Sequence, residues 1–380
     1  MTAGRSFQLG SIFAGYGVAG IFWGAYIASL PALKAISGLT DAGFGTLIIA
    51  TTVGGILAMQ ALGRVLHRVQ AVAIPGCLAA MGLFQLLFTV AGGPVMIGVA
   101  LFLIGAASGG LDISLNMRVA RLESDFGVRL FNRVHALFPF SMLVTSASVG
   151  VLREQGATPA TIFPFVCAAF LAVATVEWRA GQHQRPGEDH LTGAHVPWTN
   201  VVVILGILAA MGAVLEGSTH SWAAIYVEDG LRAGPAMAGF GAAAITLGMT
   251  TGRLIAHRLE SRVPDMVIVR GFALLAVPAF VVLAIAPYPG VALAGFFLAG
   301  VGAGPVEPAV FRSVTSRHPE STRGRALARA TGLAYTGYLA SPPVFGRVID
   351  WAGWPVMWAC LAAVGVAAAL LALRVPGQSR

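Results

Sequence analysis

Residues Val201–Tyr226 read VVVILGILAAMGAVLEGSTHSWAAIY, an apolar run with a single carboxylate, Glu216, set inside it. One hydrocarbon crossing needs roughly 20 apolar residues, so this run is long enough for a transmembrane helix. Runs of similar length recur about twelve times along the chain, separated by short loops that carry arginine. Mean hydropathy is +0.79. Only 11% of residues are charged, too few to cover a soluble surface. An all-α membrane protein of twelve transmembrane helices is expected.

Working outward from that run, spans are expected at about Phe7 to Leu33, Ala42 to Leu62, Ala71 to Ala91, Val95 to Leu115, Leu130 to Leu152 and Ala160 to Trp178. Six more follow at about Val201 to Tyr226, Ala236 to His257, Met266 to Ala286, Val291 to Arg312, Ala326 to Ile349 and Pro355 to Leu373. Twelve crossings occupy about 240 residues and leave no room for a soluble domain. The longest polar stretch, 179–200, is rich in His, Gly and charge and reads as the linker between a half at 1–178 and a half at 201–380.

The formal net charge of +8 would suggest nucleic acid in a soluble chain, but here arginine has a topological use. With the N-terminus in the cytoplasm, twenty Lys and Arg fall on that side and four (Lys34, Arg153, Arg232 and Arg347) on the other. That bias follows the positive-inside rule, puts both termini in the cytoplasm and needs no nucleic-acid partner. Cys77, Cys167 and Cys360 lie far apart within apolar runs and read as buried hydrophobes, not a disulfide framework. No cleavable signal is expected at the N-terminus, so the first run reads as a retained span.

The two halves repeat. Span two ends in Gly63-Arg64-Val65-Leu66-His67-Arg68 and span eight in Gly252-Arg253-Leu254-Ile255-Ala256-His257-Arg258. Span four carries Gly109-Gly110-Leu111-Asp112 where span ten carries Gly304-Pro305-Val306-Glu307. Arg133 and Arg329 also correspond, as do the aromatic pairs Trp23/Tyr26 and Trp222/Tyr226.

Gly63-x-x-x-His67-Arg68 resembles the loop signature of the major facilitator superfamily, with histidine where that family carries an acid. His257 repeats the departure in the second half. In the family the acid helps to lock a cytoplasmic gate, so the resemblance makes Gly63, His67, Arg68, Arg253, His257 and Arg258 the gating candidates, with an interfacial polar role as the alternative. Gly109-Gly110-Leu111-Asp112-Ile113-Ser114-Leu115-Asn116, Glu216-Gly217-x4-Trp222-x3-Tyr226, Gly252-Arg253-Leu254 and the stretch around His135 resemble the YbjJ/MosC-like branch. Ser221 stands where that branch is expected to have an acid. The resemblance implies a parallel duplication of six helices, a midplane site built from spans one, four, seven and ten, and transport of an amino-inositol type of solute.

Acids inside apolar runs point to function independently of any family. Asp112, Glu216 and Glu307 would each cost about 2.5 to 3.5 kcal/mol if inserted charged and unpaired. Either a buried partner offsets this or the acids line a water-filled cavity and carry protons. Asp112 and Asn116 share a helix face with Ser108, and Glu216 shares one with His220. No Lys or Arg sits near a span centre, a pattern suited to a neutral polyol or a cationic amine. His135, near the start of span five, is either a cavity group or an interfacial one. Trp23, Tyr26, Trp222, Tyr226, Tyr335 and Tyr338 either stack on a ring or cation or belong to interface belts.

Gly15-x-Gly17-x-x-Gly20 matches a dinucleotide fingerprint by letter only, because it lies in a span with no preceding strand; its glycines allow close helix packing instead. No zinc helix, nucleophile elbow or Walker loop is present, so neither an enzyme nor a cofactor is expected. The expectation is a monomeric inner-membrane carrier working by alternating access, with a small-molecule substrate, protons as coupling ion and lipid around it. Drug efflux is the rival within the class. A membrane-embedded enzyme or a non-transporting solute sensor is the rival outside it.

Overall fold

The computed structural model describes residues 2–127, 130–181 and 199–376. Among these there are eleven α-helices: α1 (Thr2–Ser37), α2 (Asp41–Phe84), α3 (Pro94–Phe126), α4 (Phe131–Glu154), α5 (Pro159–Gly181), α6 (Asn200–Ile225), α7 (Pro235–Leu259), α8 (Asp265–Ala284), α9 (Pro289–Ala303), α10 (Val306–Ser316) and α11 (Glu320–Leu371). Ten stretches among the described residues are long and apolar enough to cross a bilayer. The stretch expected as span eight, now α7, is not one of them.

Two expected interruptions differ. The turn expected between Leu62 and Ala71 is helical, and α2 runs on through it. Arg64 to Ile74 contains neither Gly nor Pro, so nothing breaks the backbone ladder there. The 52 residues of α11 are two helices joined at Gly353 (φ 80°, ψ 174°). A residue with a Cβ rarely adopts that conformation, and Pro355 follows two places later. The expected linker at 179–200 lies mostly outside the described residues; Arg179 lies in the last turn of α5, and the Thr199 side chain accepts from the Val202 N–H to start α6.

The contacts group into two compact units, one of Met1–Leu39 with Thr46–His190 and one of Thr40–Gly45 with Leu191–Arg380. The short piece belongs to the second unit because Asp350 accepts hydrogen bonds from the backbone N–H groups of Asp41 (3.1 Å) and Ala42 (3.0 Å).

Inside each unit, glycine sets how closely the helices approach. In the first unit a Cβ on Gly20 or Gly24 would overlap the backbone of α4 at Phe138 or Met142. The dinucleotide look-alike is thus a packing stripe. A Cβ on Gly54 or Gly105 would overlap the Phe102 or Thr51 carbonyl, locking α2 to α3. In the second unit Gly248, Gly252 and Gly300 press in the same way on the carbonyls of Phe297, Val301 and Ile245 across the α7–α9 crossing. Lipid offers no hydrophobic contrast between helices, so such close van der Waals contact is what holds them together. Aromatic clusters fill the rest: Phe22, Tyr26, Phe88 and Phe163 in the first unit and Tyr226, Phe280, Phe296 and Trp358 in the second.

Candidate functional site

The second unit gathers the acids of α6 and α10. Glu216 faces α7, where Arg253 Nη2 lies 3.3 Å from Oε1 and 3.1 Å from Oε2. The absence of a nearby base expected from the sequence is therefore corrected. Arg253, a gating candidate from the sequence, lies inside α7, six residues before its end at Leu259, and its long side chain reaches the acid. Its Nε donates to the Gly304 carbonyl at 3.0 Å. Glu307 accepts from the Tyr338 hydroxyl at 2.9 Å. Glycines on α6 make the room: a Cβ on Gly212 would come within 3.2 Å of the Glu307 backbone nitrogen, and one on Gly217 within 2.8 Å of the Tyr338 ring. One turn beyond Glu216, His220 Nε2 lies 2.9 Å from Met249 Sδ, and its Nδ1 is buried with no hydrogen-bond partner among the described residues. Tyr335 packs against Tyr338 with ring centroids 6.3 Å apart.

The first unit holds a smaller cluster on α1, α3 and α4. The Tyr16 hydroxyl donates to Asn116 Oδ1 at 2.7 Å, and His135 Nε2 lies 3.1 Å from the same oxygen. With that oxygen as acceptor from both, the imidazole proton belongs on Nε2. Asn116 Nδ2 donates to Asp112 Oδ1 at 3.1 Å. Asn116 thus joins Asp112 on its own helix to His135 on α4 and Tyr16 on α1; the spacing of four brings Asp112 to Asn116, and nothing in the sequence places His135 beside them. Sequence reading missed Tyr16, which is buried (4% exposed); a tyrosine hydroxyl inside an apolar span was its signal.

Other candidates lie elsewhere. Tyr26, Trp222 and Tyr226 are buried core residues. Tyr26 stacks on Phe22 and Phe88, Trp222 packs edge-on to Trp354, and the Tyr226 hydroxyl donates to the Leu283 carbonyl at 2.8 Å. Half-buried Trp23 packs edge-on to Phe22 and Tyr26. Of the gating set, Gly63 lies beside Ile113, and the side chains of His67 and Arg68 fall outside the described residues. His257 is exposed and Nδ1 lies 3.2 Å from Glu260, which also pairs with Arg312. The carboxylate beside His257 is thus that of Glu260, three residues later on the chain. Arg258 is exposed.

A buried ion pair also escaped the sequence reading. Arg118 Nη1 lies 2.7 Å from Glu177 Oε2, with the two side chains 5% and 0% exposed. Glu177 stands inside a predicted span, so the rule that flagged Asp112 applied to it equally.

The comparisons with known proteins agree with this architecture. The sequence model of the Major Facilitator Superfamily matches residues 205–379. An uncharacterised MFS-type transporter of Yersinia pestis is 26% identical over 96% of this chain and 92% of its own length, and membrane protein MosC of Rhizobium meliloti is 23% identical over 96% and 89%. Among solved structures, the nucleoside transporter NupG superposes with a TM-score of 0.77 at 11% identity, over 97% of this chain and 98% of that one. The E. coli fucose:proton symporter FucP gives 0.64 at 14%, over 98% of each chain. Both fold likenesses span the first unit as well as the second; the family match over the second unit and the curated relative named as a transporter point to transport and not to membrane-embedded catalysis. The chain is a multi-pass membrane protein whose residues 205–379 match the Major Facilitator Superfamily and which is similar over nearly its whole length to MFS-type transporters.

Proposed function

We propose that the protein moves a small polar solute, of the amino-sugar or inositol type, across a bacterial inner membrane by alternating access, driven by protons bound at Asp112, Glu216 or Glu307. The observation that carries this is the acid cluster of the second unit. Two carboxylates inside apolar helices each have a polar partner, one a guanidinium and the other a phenol. A membrane protein retains such groups at a cost of about 2.5 to 3.5 kcal/mol each before pairing, which favours a working role. The cluster of the first unit by itself offers a hydroxyl, an amide, an imidazole and one carboxylate. That mixture suits a hydroxylated solute, neutral or with a single amine.

Twelve crossings in two six-helix repeats, with both termini cytoplasmic, complete the proposal. Ten apolar stretches become twelve when α7 is counted and the final one is divided at Gly353. Matching glycine crossings support the repeat: Gly105 on the Thr51 carbonyl in the first unit stands 195 positions before Gly300 on the Ile245 carbonyl in the second.

The test begins with a thermal-shift screen of purified protein against sugars, inositols, amino sugars and amines, since a bound ligand raises the midpoint by mass action. Proteoliposomes should then accumulate the hit under an imposed pH gradient and lose it on adding a protonophore. Accumulation indifferent to the protonophore would overturn proton coupling.

A further inference from the structure

From the end of α9 into the first turn of α10 the chain reads Gly304-Pro305-Val306-Glu307-Pro308. Each proline leaves a carbonyl one turn earlier without its helical donor. Pro305 frees the carbonyl of Val301, which is closed over by the Gly252 crossing. Pro308 frees the carbonyl of Gly304, and this is the oxygen to which Arg253 Nε donates. The same guanidinium holds Glu216 through Nη2. One side chain therefore fills the gap in a broken helix and neutralises an acid on another helix. Glu307 lies between the two prolines, with Tyr338 on its carboxylate.

We propose that Arg253 is a positioning residue that ties the charge of Glu216 to the conformation of the break at Gly304–Pro308. When Glu216 is charged, the guanidinium is anchored and satisfies the Gly304 carbonyl. When Glu216 takes up a proton, the anchor weakens, Arg253 leaves the carbonyl, and the segment that carries Glu307 loosens. The charged and titratable groups around Glu216 are Arg253 on α7, Glu307 on α10, Tyr338 on α11 and His220 on its own helix. Among them Arg253 is the one that bonds both Glu216 and a backbone carbonyl of the break. The proposal deepens the proton-coupling reading above and rests on it, adding how protonation of one acid is felt at the other.

Lysine separates this role from mere charge balance, because one ammonium replaces a planar fork that serves two acceptors at once. Hydrogen–deuterium exchange of the amides between residues 303 and 312, read on purified protein in lipid nanodiscs, is the measurement. Glu216→Gln should speed exchange there about fivefold or more in the parent background. In the Arg253→Lys background, where the bridge is already lost, Glu216→Gln should add less than about twofold. Pro308→Ala restores an N–H for the Gly304 carbonyl, so in that background too Glu216→Gln should change exchange by less than about twofold. An unresponsive parent, or the same acceleration in either background, would overturn the tie. These readings use no substrate and no gradient, so they fail independently of proton-driven uptake.

Discussion

Arg253 and Glu216, 37 residues apart on neighbouring helices, form a two-oxygen ion pair with Nη2 at 3.1 and 3.3 Å. The acid is 17% exposed and the arginine 44%. The pair is therefore half in solvent, and its net contribution to stability is expected to be modest.

A double-mutant cycle measures it. Arg253→Gln strands a carboxylate among apolar helices and should cost about 1–2 kcal/mol, below the figure for a fully buried pair because solvent screens the arginine. Adding Glu216→Gln should recover most of that loss. Thermal denaturation in detergent gives the four midpoints, and additive losses would mean that the pair is not coupled.

Arg118 and Glu177 present the opposite case, because both are buried. Glu177→Gln or Arg118→Met alone should destabilise the protein by about 3–5 kcal/mol, since each leaves a charge or its partner unsatisfied. Arg118→Met with Glu177→Leu should restore much of the stability. The check is the midpoint of unfolding; single variants as stable as the parent would remove any structural weight from the pair.

Tyr16 and His135 both bond Asn116 Oδ1. If that amide contacts the solute, Tyr16→Phe and His135→Ala should each raise KM about three- to tenfold through one lost hydrogen bond, with kcat less affected. Uptake kinetics decide it, and an unchanged KM in both would take this cluster out of substrate binding.

The charge asymmetry of the loops makes a separate claim. In a background without Cys77, Cys167 and Cys360, a membrane-impermeant thiol reagent added to intact cells should label a cysteine at Gly230 and leave one at Gln184 unlabelled. Labelling at position 184 would reverse the orientation.

The apolar runs were legible because a bilayer imposes one length and one polarity on every crossing. The meeting of Asp112 with Asn116 was legible for the same local reason, a spacing of four on one helix. Partners on different helices were not. Arg253 reads as a loop-proximal residue until α7 is seen to pack on α9 through Gly248 and Gly252, which carries the guanidinium to Gly304 and Glu216. Tyr338 likewise reads as an aromatic for stacking until Gly217 lets its ring in and its hydroxyl finds Glu307. The aromatics near span ends were misleading because Trp and Tyr serve cores and sites equally well. Packing turned Trp222 and Tyr226 inward.

The central claim is that intramembrane carboxylates couple protons to transport. The most direct measurement compares counterflow exchange with gradient-driven accumulation in proteoliposomes bearing Asp112→Asn, Glu216→Gln or Glu307→Gln. At least one amide variant should keep exchange within about threefold of the parent while losing accumulation roughly tenfold or more, because removing the titration uncouples the proton without removing the carrier. Parent-level accumulation in all three would contradict the account and leave a facilitator of downhill flux.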